Sequence, residues 1–268
     1  MNNLHRKLAP ISEAAWAQIE EEASRTLKRY LAARRVVDVD GPKGFDLSAK
    51  GTGHIHPIDA PGDGIQASIR EVNPVVELRI PFELTRQAID DVERGSEDSD
   101  WQPLKDAARK MAFAEDRAVF EGYPAAGISG IRRGSSNAAL TLPGSVKNYS
   151  DTIAHALNEL RLAGVNGPYM LVLGTEAYTA ASGGSDEGYP VLHHIRELVD
   201  GEIIWAPAIE GGFVLSTRGG DFELSIGQDI SIGYLSHTDT TVKLYLQESF
   251  TFQFYTSEAV VCLEPTRK

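Results

Sequence analysis

Seven histidines, a run of carboxylates and a few glycine-flanked serines are the residues of this chain that could do chemistry. Their spacing decides against each in turn. His54 and His56 stand two apart in a strand-like stretch, which puts both rings on one face. A metal centre there needs further ligands, and no cysteine or third histidine lies near. His193 and His194 are adjacent and point to different sides of a helix. Asp90, Asp91, Glu93, Glu97, Asp98 and Asp100 lack the alternating spacing and central glycine of a calcium loop, so they read as a solvated face with capping duties. Ser129 sits in Ala126-Gly-Ile-Ser-Gly130, one residue short of the Gly-x-Ser-x-Gly turn that presents a nucleophile. Glu115 and Asp116 are neighbours on a helix, point apart, and make no acid–base pair. Gly183 and Gly184 lack the strand–turn–helix setting of a dinucleotide fingerprint. No catalytic set, no metal set and no cofactor motif emerges. The chain reads as a builder or a binder.

The elements that would position any site are legible. Pro10 and Ser12 precede a helix whose Trp16, Ile19, Ala23, Leu27, Tyr30 and Leu31 recur at three- and four-residue spacing and which runs out near Arg34. Ser12 is its expected N-cap, with Glu13 at the positive end of the dipole. A short strand follows over 36–39. Glycine and proline become dense over 44–76, and strands are predicted at 65–70 and 75–80 with Asn73-Pro74 as the turn between them. This stretch reads as a two-stranded arm that must find its partners elsewhere. Thr85 caps a helix carrying Ala88, Ile89 and Val92 that stops at Gly95, and a longer one runs from about 100 to Gly122. A third helix spans 151–163, a buried-type strand 169–173, a small-residue loop 181–190 and a helix 190–199. Everything after Gly201 reads as glycine-punctuated strands. The class is α+β.

At 268 residues and 42% apolar content the chain can bury a real core. No apolar run reaches the eighteen or so residues of a membrane span, and the first residues carry no signal-peptide h-region. Cys262 is the single cysteine, which suits a cytoplasmic origin. The net charge of -12 argues against nucleic acid as a partner, because such affinity comes from neutralising phosphates. One basic cluster, Lys28, Arg29, Arg34 and Arg35, faces Glu20, Glu21 and Glu22 within a helical segment and reads as a solvated mixed-charge helix.

Eight motifs in order carry a resemblance: Leu8-Ala-Pro10 before the Trp16 helix; Arg35-Val-Val-Asp38; Ile89 to Gly95; Glu115-Asp116 with Phe120-Glu-Gly122; Gly167-Pro168-Tyr169; Gly188-Tyr189-Pro190; Arg218-Gly-Gly-Asp221-Phe222; and Gly227 to Tyr234. Over nearly its whole length the chain resembles the encapsulins, nanocompartment shell proteins with the fold of tailed-phage major capsid proteins, and the actinobacterial type of family 1 (linocin-like) above all. The resemblance implies an HK97-type fold divided as 1–43, N-terminal helix and start of the peripheral domain; 44–78, E-loop arm; 79–133, peripheral domain with its spine helix; 134–222, axial domain; 223–254, peripheral strands; and 255–268, C-terminal strand and tail. It implies self-assembly of about 60 copies into a T=1 icosahedral shell. The guest enzyme, a dye-decolourising peroxidase or ferritin-like protein, docks through its own C-terminal targeting peptide. The implied docking groove uses Leu27, Leu31, Val36, Ile230 and Ile232 for apolar contacts, with Arg34 and Asp38 fixing polar groups. The implied pore lining is Gly183, Gly184, Ser185, Asp186, Glu187 and Gly188, with the two acids forming a cation-favouring ring. Some members resemble flavin binders through an exposed tryptophan, but Gln87 stands at that position here. A free-standing hydrolase or bacteriocin-like protein is the competing reading, and a DNA-packaging phage capsid a third.

Overall fold

The structure is a computed structural model that describes residues 3–186 and 188–266. Helix α1 (Glu13–Tyr30) starts where expected: the Ser12 hydroxyl accepts from the Ala15 amide at 3.2 Å. It ends four residues earlier than its pattern suggests. The Asp116 carboxylate accepts from the amides of Ala32 and Ala33 at 2.9–3.1 Å, and the chain turns through a 3-10 turn at Ala33–Arg35. A side chain 84 positions away thus does the work of a cap. The strand expected at 36–39 appears as β1 (Asp38–Asp40).

The arm is built differently from the expected hairpin. Its two strands are β2 (Ala49–Ile58) and β3 (Ala67–Pro74), paired antiparallel, and the turn lies between them at 59–66. Asn73-Pro74 does not turn; β3 runs on directly into β4 (Val76–Thr85), which leaves the arm and joins the main sheet. Val76 and Leu78 therefore pack against the subunit's own core, whereas Ile65 and Ile69 stay exposed on the arm.

Thr85 caps α2 (Arg86–Glu93), its hydroxyl accepting from the Ala88 amide at 3.1 Å, and α3 (Gln102–Phe120) follows. Past α3 the chain turns at Gly122, whose φ of +94 and contact with the Ser129 carbonyl, 2.4 Å from where a Cβ would sit, admit only glycine. Next come α4 (Gly130–Gly134), β5 (Leu140–Thr141), α5 (Tyr149–Leu162) and β6 (Tyr169–Leu173). Part of the expected 181–190 loop is helical: α6 (Thr175–Gly183) is followed by the small hairpin of β7 (Ser185–Asp186) and β8 (Tyr189–Pro190). Only Ala177 and Ala181 of α6 are buried, so it has no stripe of large apolar residues to betray it. Helix α7 (Val191–Leu198) precedes β9 (Ile203–Trp205), β10 (Gly212–Ser216), β11 (Phe222–Ile226), β12 (Ser231–His237), β13 (Thr241–Phe254) and β14 (Val260–Glu264).

Two five-stranded sheets organise the molecule. In the first, the long β13 pairs with β4 along one edge and with β12 then β11 along the other, all antiparallel, and β1 adds parallel to β11. Helices α1, α2 and α3 cover it, with Ile19, Ile89, Leu104 and Met111 packed against Phe82 of β4 and Leu244 of β13. In the second, the order is β5-β14-β10-β6-β9, packed by Ile153, Leu157 and Leu160 of α5 and by α7. Phe120 at the end of α3 stacks on Phe213 of β10 at 5.2 Å and ties the two halves together.

Candidate functional site

Between α1 and the segment entering β12 lies a cavity of about 420 Å³. Leu27 and Leu31 form one wall, Ile230 and Ile232 the other, and Arg34 closes one end. The sheet's geometry makes this gap. β11 and β12 pair with successive stretches of β13, so the chain must loop over 227–230 between them, and that loop carries Ile230 under α1. Leu27, Leu31 and Ile230 are half-buried and line the walls; Ile232 is buried at the floor. Glu20, Lys28 and Arg6 also line the cavity. An apolar channel with charges beside it suits an extended amphipathic segment.

Five of the seven sequence-derived contact residues are thus brought together, and two are not. Val36 points into the core at 4% exposure, because the 3-10 turn at 33–35 reverses the chain before it. Asp38 rides β1 to a separate cavity of about 330 Å³, where its carboxylate accepts from the Gly220 amide at 2.6 Å. Its partner there is the Arg218–Asp221 turn, so the structure places both residues outside the groove.

Arg34 is not a free ligand for a guest. Its Nε donates to both oxygens of Glu115 at 2.9 and 3.0 Å, Nη1 to Asp229 at 2.8 Å, and Nη2 lies 3.5 Å from Glu248. Glu115 and Glu248 are essentially inaccessible to solvent. Burial disfavours the guanidinium's charge, but hydrogen bonding and attraction from Glu115 outweigh it and hold Arg34 above its ordinary pKa. Glu248 is pushed well above the usual carboxylate range, first by burial and then by the charge of Glu115. Its Oε1 has no hydrogen-bond partner among the described residues. Next to them, burial raises Asp116 to about 7 even though the amides of Ala33 and Ala32 pull it down. In the sequence Glu115 and Asp116 read only as neighbours that make no acid–base pair, and Glu248 is not singled out. The available signal was a carboxylate inside a fourteen-residue strand buried on both faces.

The segment assigned to the pore is not one open loop. Gly183 ends α6, and Gly184 passes so close to Val146 that a Cβ would sit 2.5 Å from it. Ser185 and Gly188 are exposed at the hairpin, and Glu187 lies outside the described residues. Asp186 stands 3.6 Å from Lys147, which offsets part of its charge. Gln87 is exposed on α2. His56 approaches Glu71 at 3.3 Å, and Tyr189 packs edge-on against both His193 and His194. Among the described residues no three metal-binding side chains converge, and no helix is long and apolar enough to cross a membrane.

An α+β subunit with a protruding arm, a long α3 and a sheet-backed groove defines the HK97-type capsid class. Among solved structures it is similar to a virus-like particle from Pyrococcus furiosus, with a TM-score of 0.66 at 17% identity over 93% of this chain and 99% of that one. Residues 1–251 match the family described as "Encapsulating protein for peroxidase". The chain is 64% identical to the type 1 encapsulin shell protein of Rhodococcus erythropolis, over 98% of this chain and all of that one. It is 59% identical to that of Mycobacterium tuberculosis, over 98% and 99% of the two chains. The chain belongs to the encapsulin shell-protein family and is a structural, shell-forming protein.

Proposed function

We propose that about 60 copies close into an icosahedral nanocompartment in the cytoplasm, and that each subunit's groove holds the C-terminal targeting peptide of an enclosed enzyme. The observation that carries this reading is the groove itself: Leu27, Leu31 and Ile230 stay half-buried around a cavity of about 420 Å³ floored by the buried Ile232. The subunit has no catalytic role of its own; the guest supplies the chemistry. The family description points to a peroxidase as guest, and a dye-decolourising peroxidase or a ferritin-like protein is the guest we assign. Small substrates cross the wall at pores lined by the segment from the end of α6 through the β7–β8 hairpin, Gly183, Gly184, Ser185, Asp186 and Gly188 among the described residues.

Co-expression of Ile230→Asp with a peroxidase bearing its targeting peptide tests the groove. A carboxylate on that wall meets Asp229 and the apolar floor, and an unpaired charge costs several kcal/mol to desolvate. The expected result is normal shells that contain little or no peroxidase. Wild-type loading in intact shells would overturn the groove assignment.

A further inference from the structure

A second cavity, of about 400 Å³, lies between α1 and α3. Arg25 and Arg29 reach it from successive turns of α1, and Lys105 and Arg109 from successive turns of α3. Residues four apart share a helix face, so two basic pairs confront each other across the gap. Only two carboxylates answer them. Glu22 pairs with Arg25, and Asp106 stands 3.5 Å from Arg109. Among the described residues Arg29 and Lys105 pair with no carboxylate, and the Arg29 guanidinium rests 5.4 Å from the Trp205 ring centre. Four cations against two anions leave two positive charges in a chain whose net charge is -12. The neutral donors are already committed, since Thr26 bonds Glu22 at 3.4 Å and Gln102 bonds Asp106 at 3.1 Å. The sequence alone groups Arg29 with Lys28, Arg34 and Arg35. The fold instead sends Lys28 and Arg34 to the groove and Arg35 to Glu202, and gives Arg29 basic company from α3.

We propose that this cavity is an anion site for a phosphate-bearing ligand, either free phosphate and short phosphate chains or the phosphates of a nucleotide. Phosphate is favoured over carboxylate by charge and by shape. A phosphate group carries about -1.5 to -2 near neutral pH, which matches the two uncompensated cations, whereas a single carboxylate leaves one unanswered. Guanidinium forks bind phosphate oxygens in pairs, and three of the four cations are arginines. The one aromatic ring in the lining, Tyr30, already packs on Phe113 at 5.7 Å and on Trp205 at 6.0 Å, so the site reads phosphate and not a base.

Calorimetric titration of the assembled full-length protein with pyrophosphate, at low ionic strength where such charges act most strongly, tests the assignment. The unmodified protein should bind, with affinity falling as salt rises. The double variant Arg29→Gln/Lys105→Gln should bind about tenfold or more weakly, through the loss of charge-assisted hydrogen bonds. Arg109→Gln provides a second, milder variant, expected to weaken binding in the same direction, with assembly checked by size exclusion. ATP binding like tripolyphosphate supports a site that reads phosphate alone. Tighter binding of ATP, equal binding of succinate, no binding of pyrophosphate, or unchanged affinity in both variants would overturn it.

Discussion

Arg34 joins three carboxylates from three places: Glu115 on α3, Asp229 in the loop before β12, and Glu248 on β13. It therefore fixes the end of the groove by holding the groove's own walls. Arg34→Ala would leave Glu115 and Glu248 buried without a cation, and removing one partner of a buried pair costs about 3–5 kcal/mol. The expected outcome is a marked drop in thermal unfolding midpoint, with Arg34→Lys intermediate because it keeps the charge and loses the fork. Asp116 sets a pH dependence of defined sign. Its carboxyl rises from 3.8 to about 7 in the folded chain, so folding favours its protonated form. That contribution is full below about pH 4 and is lost as the pH climbs through 7. Asp116→Asn, neutral at every pH, should flatten the slope of unfolding midpoint between pH 4 and 7 relative to the unmodified protein. An identical slope in both would show that Asp116 is not the group that titrates.

The arm is the element with the least support of its own. Ile55, Ile58, Ile65, Ile69 and Val72 are each about half exposed along it, and burying what remains of such side chains is worth roughly 1 kcal/mol apiece. About 5 kcal/mol per arm sits at the low end of the 4–15 kcal/mol that association costs. One arm contact alone is therefore marginal, and in the proposed shell every subunit would give and receive one. Deletion of residues 51–73 should yield folded subunits that do not assemble, seen by electron microscopy. If the hairpin lines a pore as proposed, Asp186→Asn should slow entry of cationic substrates only modestly, since Lys147 already offsets that charge; Lys147→Gln should speed it, as read from turnover by a co-expressed, enclosed peroxidase at low ionic strength. Elements governed by local chemistry were legible in the chain: Ser12 and Thr85 cap the helices that follow them. What distant residues decide was not legible. The end of α1 is set by Asp116, and β2 is a strand, despite Gly51, Gly53 and Pro57, because β3 pairs with it. Leu27, Leu31, Ile230 and Ile232 come together around one cavity, whereas Val36 and Asp38 lie away from it because the direction of the turn at 33–35 is a tertiary property. Glu248 was hidden for a related reason, since β13 is buried on both faces and shows no alternation to mark a site.

On the scale of the whole molecule, a subunit with an unpartnered arm and an extended capsid-type fold makes sense only in a closed assembly. In the proposed closed shell every arm would lie on a neighbour, whereas a heterologous contact that fails to close would grow into filaments. A net charge of -12 per chain favours mutual repulsion between particles in solution. Native mass spectrometry of the purified full-length chain, with cryo-electron microscopy of the same sample, tests the assembly most directly. The expected result is a single hollow icosahedral particle of about sixty times the subunit mass, with the arm of each subunit lying on its neighbour. Monomers or small oligomers under the same conditions, or open filaments, would contradict it.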